Sequence, residues 1–74
     1  MTVCDLLKAS MQAHNLAKPR GRTSRPPGWL DSLREAARLR QEALRADPEQ
    51  NEDCWLDYGN HEALMAFYAD KDVL

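Results

Sequence analysis

Apolar residues recur at helical spacing from the start of the chain. Val3, Leu6, Leu7, Met11 and Ala13 share one side when each residue is turned about 100° from the last. Thr2, three residues ahead of Asp5, makes a near capping box, and the carboxylate also faces the positive end of the helix dipole. A first helix over about 3–16 is predicted, and Pro19 and Gly21 stop its continuation.

The periodicity then lapses over residues 17–28, where the stretch from Lys18 to Trp29 reads KPRGRTSRPPGW. Pro26–Pro27 fixes the backbone and restricts the residue before each ring, so this piece is expected to be a stiff, extended, basic connector. Helical spacing resumes at Trp29 and holds to Ala46, in a run rich in Ala, Leu, Arg and Glu that Asp47–Pro48 closes. With Trp29 at the centre of a face, Leu33, Ala36, Ala37, Ala43 and Leu44 gather round it, and Arg40 falls in their midst. An arginine there must pair with an acid, carry its head to solvent, or await a partner.

The remaining pattern is weaker. DPEQNED reads as an acidic loop, and Cys54 to Tyr58 is an apolar-aromatic piece too short to assign, so 47–59 is expected to be a loop with one short element. Gly59–Asn60 reads as a break, with Asn60 capping a last helix over about 61–70 that aligns Leu64, Phe67 and Tyr68. The expected fold is an all-α bundle of two or three main helices with a partly flexible C-terminus, forming one small domain over 1–74. Trp29, Leu33, Leu44, Trp55 and Leu56 are expected to help close its core.

Composition narrows the classes. With 74 residues, 43% apolar and 30% charged, the chain suits a small globule whose core is too limited for a roomy catalytic cleft. No apolar run approaches the ~18 residues of a membrane span. No export signal is evident, so the chain is expected in the cytoplasm, with its two cysteines, Cys4 and Cys54, reduced rather than bridged.

Charge sharpens the picture further. Residues 1–46 carry nine Lys/Arg against four acids, and residues 47–74 carry eight acids against Lys71 alone. So polar a chain either meets a charged macromolecule or folds its halves together. On the second helix Arg34, Arg38 and Arg45 form a ridge, but Asp31, Glu35 and Glu42 stand where helical ion pairs form, which argues against a phosphate-reading surface. The connector of about twelve residues between the first two helices also excludes the tight turn of a helix-turn-helix.

Within the connector, Pro19-Arg20-Gly21-Arg22 resembles the core of an AT-hook. The resemblance implies that Arg20 and Arg22 lie along the floor of an A·T-rich minor groove, Gly21 permits close approach, and Lys18 and Arg25 touch phosphate. It covers four residues, and Thr23 stands where that pattern has proline.

Candidate chemistry is sparse. Cys4, His14, Cys54 and His61 together suggest a zinc site, yet their intervals exceed those of paired zinc ligands. A Cys–His nucleophile pair lacks an accompanying oxyanion motif, and RGRT lacks the glycine spacing and lysine of a phosphate loop, so no catalytic, cofactor or metal site is assigned. Asp53 and Asp57, with Trp55 and Tyr58 among them, suit an acidic surface with aromatic anchors.

The expected partner-binding residues are therefore Lys18, Arg20, Arg22, Arg25, Arg40, Asp53, Trp55, Asp57 and Tyr58. The function expected of them is non-enzymatic: stoichiometric binding to a larger nucleic-acid-handling machine, RNA polymerase first among targets. Small polar proteins of this type occur among bacteriophage-encoded regulators and inhibitors of host machines. The alternatives are direct DNA binding through the basic PRGR loop and a zinc-stabilised interaction domain.

Overall fold

The capping box anticipated at the N-terminus is formed. Thr2 Oγ1 accepts from the Asp5 amide at 3.1 Å, and Asp5 Oδ2 accepts from the Thr2 amide at 3.2 Å. It opens α1, Val3–Leu16. The bond from Thr2 is also the main reason the Asp5 carboxyl is held below the usual carboxylate range. The computed structural model describes residues 1–18 and 25–73, with side chains described as far as residue 67; among these residues there are three helices and no strand. The PRGR segment therefore lies outside the described residues.

The described part of the connector ends in a turn over Pro26–Pro27–Gly28, with the Trp29 amide donating to Pro26 O at 3.2 Å. Gly28 takes φ +77°, a left-handed conformation that a side chain would strain, and its carbonyl accepts from the Ser32 amide to start α2, Trp29–Ala46. The buried face of α2 is Ala36, Leu39 and Ala43. This differs from the expected face, which put Trp29 at its centre. Trp29 is instead 36% exposed, with the Arg25 guanidinium 4.8 Å from its ring centroid. Turning the helix to seat Ala36 and Leu39 carries Trp29 and Ala37 towards solvent, while Leu33 and Leu44 stay at the boundary.

Asp47 terminates α2 and organises the loop after it. Its backbone amide donates to Ala43 O, while its carboxylate accepts from the amides of Asn51 and Glu52, each at 3.0 Å, and from Trp55 Nε1 at 2.9 Å. Those backbone bonds, reinforced by the indole, hold the Asp47 carboxyl below the usual range. The chain is thus wrapped round one carboxylate, and Trp55 is delivered inward as α3, Cys54–Val73, begins.

α3 runs through Gly59–Asn60 without the expected break. One continuous helix replaces the loop, short element and separate last helix read from the sequence. A single glycine inside a helix costs only about 1 kcal/mol relative to alanine, too little to end a helix that is fixed at its start by Asp47.

Leu6 and Leu7 of α1, Leu39 and Ala43 of α2, and Trp55 and Tyr58 of α3 form the core cluster, with Val3, Met11 and Leu44 against it. α1 is the central element: it packs along α2 and, over a shorter stretch, against α3. Leu56 does not join the core, being 75% exposed.

The cysteines correct another expectation. Cys4 and Cys54 are joined by a disulfide across a sequence separation of 50, with their Cα atoms 5.7 Å apart. Spacing alone could not reveal this, because it is the docking of α3 beside α1 that brings the two helix starts together. Closing so long a loop removes about 4 kcal/mol worth of chain entropy from the unfolded state. With both sulfurs in this bond, neither is a thiolate ligand, so the four residues of the zinc reading do not assemble. Among the described residues no helix is long and apolar enough to cross a membrane.

Candidate functional site

Where the three helices meet, the core is polar. Ser10 on α1 is fully buried, and its Oγ donates to Ala36 O on α2 at 2.7 Å. The same oxygen lies 3.0 Å from Tyr58 Oη on α3. A serine has one hydroxyl hydrogen, and here it goes to the Ala36 carbonyl, so the Tyr58 hydroxyl is the donor to Ser10. Burial pushes the Tyr58 phenol above its ordinary range, which keeps it a neutral donor.

One turn further along, the His14 and His61 rings stand edge to face, their centroids 5.5 Å apart. Burial lowers both imidazoles below the usual histidine range; the neighbouring His61 lowers His14 further, while Glu62 pulls each back upward. Both are therefore neutral at pH 7. Arg40 reaches this junction from α2, with its Nε 3.6 Å from Glu62 Oε2. That is an ion pair beyond hydrogen-bond length, and Arg40 Nε and His61 Nε2 are buried without a hydrogen-bond partner among the described residues.

The chemistry available here is limited by these bonds. The Ser10 hydrogen is directed at a main-chain carbonyl rather than at a base, and the hydroxyl is closed to solvent. The cluster joins three helices through polar contacts, and no group of three or more metal-ligating side chains gathers among the described residues.

The residues expected to bind a partner divide sharply. Trp55 and Tyr58 face inward, 9% and 3% exposed, with their polar atoms bonded to Asp47 and Ser10. They anchor the fold rather than a surface. Arg40 is half-buried against Glu62, which is the first of the three outcomes open to it, pairing with the acidic half. Arg25 Nη1 donates to Ala17 O at 3.3 Å and lies over Trp29, and the Lys18 amide closes the turn after α1 on Asn15 O. Arg20 and Arg22 lie outside the described residues. Among the described residues of the set, Asp53 and Asp57 are the exposed ones. On α2 the expected neutralisation is present: Arg38 pairs with Glu35 and, at 2.7 Å, with Glu42, and Arg34 lies 4.0 Å from Asp31.

A surface that the sequence reading did not isolate lies on the outward side of α3. With about 100° per residue and Trp55 and Tyr58 facing inward, Leu56, Asp57, Asn60, Ala63, Leu64 and Phe67 fall on the opposite side. All are exposed, and Asp57 is the charged residue among them. Leu56 is 75% exposed, Leu64 47% and Phe67 53%. Asp53 stands just ahead of this surface, at the start of the helix. The signal was present as an apolar pattern on both faces of one helix, but the supposed break at Gly59–Asn60 hid its continuity.

A scan against protein-family models, a search of curated proteins and a search of solved structures each return no match.

Proposed function

We propose that this chain is a small non-enzymatic regulatory protein that acts by binding a larger nucleic-acid-handling machine. RNA polymerase is the first target, in the manner of bacteriophage-encoded proteins that take over or inhibit a host machine, and the cytoplasm is its place of action. The observation that carries this reading is the outward face of α3. A solvent-facing helix side is ordinarily mostly charged, whereas this one exposes Leu56, Ala63 and Leu64 with Asp57 among them and Asp53 at the helix start. An apolar centre with a charged rim is the anatomy of a protein interface. The carboxylates suit a basic surface of the kind that nucleic-acid-handling proteins present, and the basic first half of the chain supplies the opposite sign. The non-enzymatic part of the reading is supported by Ser10, whose hydroxyl is buried and already bonded to the Ala36 carbonyl.

Direct DNA binding through Lys18, Arg20, Arg22 and Arg25 is the competing outcome. Titrating the labelled protein with purified bacterial RNA polymerase and, separately, with an A·T-rich duplex at low and moderate salt tests both. Saturable polymerase binding that exceeds duplex binding is expected. Tight duplex binding that weakens steeply with salt, without polymerase binding, would replace this reading with the DNA-binding one.

A further inference from the structure

We propose that the Cys4–Cys54 disulfide is a reversible modification site for a dithiol reductant, and that its reduction releases α3 from α1. The bond joins the second residue of α1 to the first residue of α3. Cys4 is exposed and Cys54 half-buried, so an incoming thiolate meets Cys4 Sγ. Lys8 stands one turn along α1 from Cys4 and brings positive charge to that approach, while the opposing Asp5 carboxylate is bonded to the Thr2 amide. Attack at Cys4 expels the Cys54 sulfur at the N-terminus of α3, where the helix dipole favours a thiolate.

The exchange has two steps. A reductant thiolate forms a bond to Cys4 Sγ as the Cys4–Cys54 bond breaks, and the electron pair leaves on Cys54 Sγ, which takes up a proton. The second thiol of the reductant then displaces Cys4 as a thiol and closes the reductant's own disulfide. Two electrons and two protons pass to the protein. A glutathione disulfide carries out the reverse.

α3 is the element that depends on this bond. α1 and α2 pack along one another, whereas α3 meets α1 over a shorter stretch and touches α2 through side chains, as in the Arg40–Glu62 pair. Once the sulfurs part, α3 keeps the burial of Trp55 and Tyr58, their bonds to Asp47 and Ser10 and the Arg40–Glu62 pair, but loses the covalent tie that holds its first residue to α1. This release is independent of what binds the outward face of α3.

Amide hydrogen exchange of the full chain, read by mass spectrometry before and after dithiothreitol without denaturant, tests it. Peptides from 54–67 are expected to exchange at least tenfold faster after reduction and to regain protection with oxidised glutathione. A change below twofold, or a disulfide that resists dithiothreitol until denaturant is added, would overturn the proposal. The double variant Cys4→Ser/Cys54→Ser should show the fast exchange with no response to dithiothreitol, and slow exchange there would equally overturn it. If that variant does not accumulate, reduction of the native chain in place gives the reading.

Discussion

Ser10 has one hydroxyl hydrogen and two polar neighbours, and their geometry orders the three-helix junction: Tyr58 donates to Ser10, and Ser10 donates to the Ala36 carbonyl. Removing different members has unequal effects. Tyr58→Phe deletes one donor and leaves the Ser10–Ala36 bond intact, so a loss of about 1 kcal/mol is expected in urea unfolding. Ser10→Ala leaves the Tyr58 hydroxyl without its acceptor in the core and removes the added bond to the Ala36 carbonyl, which keeps its helical bond from the Arg40 amide, and a larger loss, about 2 kcal/mol, is expected. Equal losses would mean that the hydrogen bonds are not ordered in this way. Neither this chain of bonds nor the wrapping of the loop round Asp47 was legible in the sequence. A serine on an apolar stripe and an aspartate before proline have many local uses, and the partners here lie 26 and 48 residues from Ser10. What was legible at this scale was local: the Thr2–Asp5 capping box involves residues three apart, within reach of simple helix geometry.

At the scale of the element, α1 and α2 have the bounds that their periodicity and proline stops predict. Trp29, the largest apolar side chain of the segment, makes the sequence point to a buried face centred on it, and the structure turns α2 away from that face. Burial went instead to Ala36, Leu39 and Ala43, whose small or slender side chains let α2 approach α1 closely, while Arg25 covers part of the Trp29 ring. α3 was misjudged through Gly59–Asn60, a local turn signal overridden by tertiary packing on both sides of it. Two leucines separate core from surface. Leu7 is fully buried, and Leu7→Ala is expected to cost 2–5 kcal/mol, roughly the range for an emptied leucine site. Leu56→Ala is expected to change stability by less than about 0.5 kcal/mol in the same urea series. A large loss at Leu56 would show that α3 is turned differently about its axis.

Across the whole molecule, the two oppositely charged halves are joined by the Arg40–Glu62 ion pair, which lies beside His14 and His61. This gives stability a pH dependence of defined sign. Both imidazoles are depressed in the fold, mainly by burial, so as pH falls through about 6.5 the unfolded chain takes up protons before the folded one does. Stability is complete above that pH and declines below it towards the lower folded values. The melting temperature should therefore fall between pH 7 and pH 5.5, and His14→Gln/His61→Gln should flatten that fall. An unchanged slope in the double variant would place the titrating groups elsewhere. The charge asymmetry itself was plain in the sequence, but which acids stay available to a partner was not, because Trp55 and Tyr58 turn inward and leave Asp53 and Asp57 exposed among the apolar residues of the opposite side. The claim that this side of α3 is the docking surface is tested most directly by the affinity of Leu56→Asp/Leu64→Asp for purified RNA polymerase, measured beside the native chain with helicity checked by circular dichroism. The account predicts at least a tenfold loss of affinity with unchanged helicity, and affinity within twofold of the native chain would contradict it.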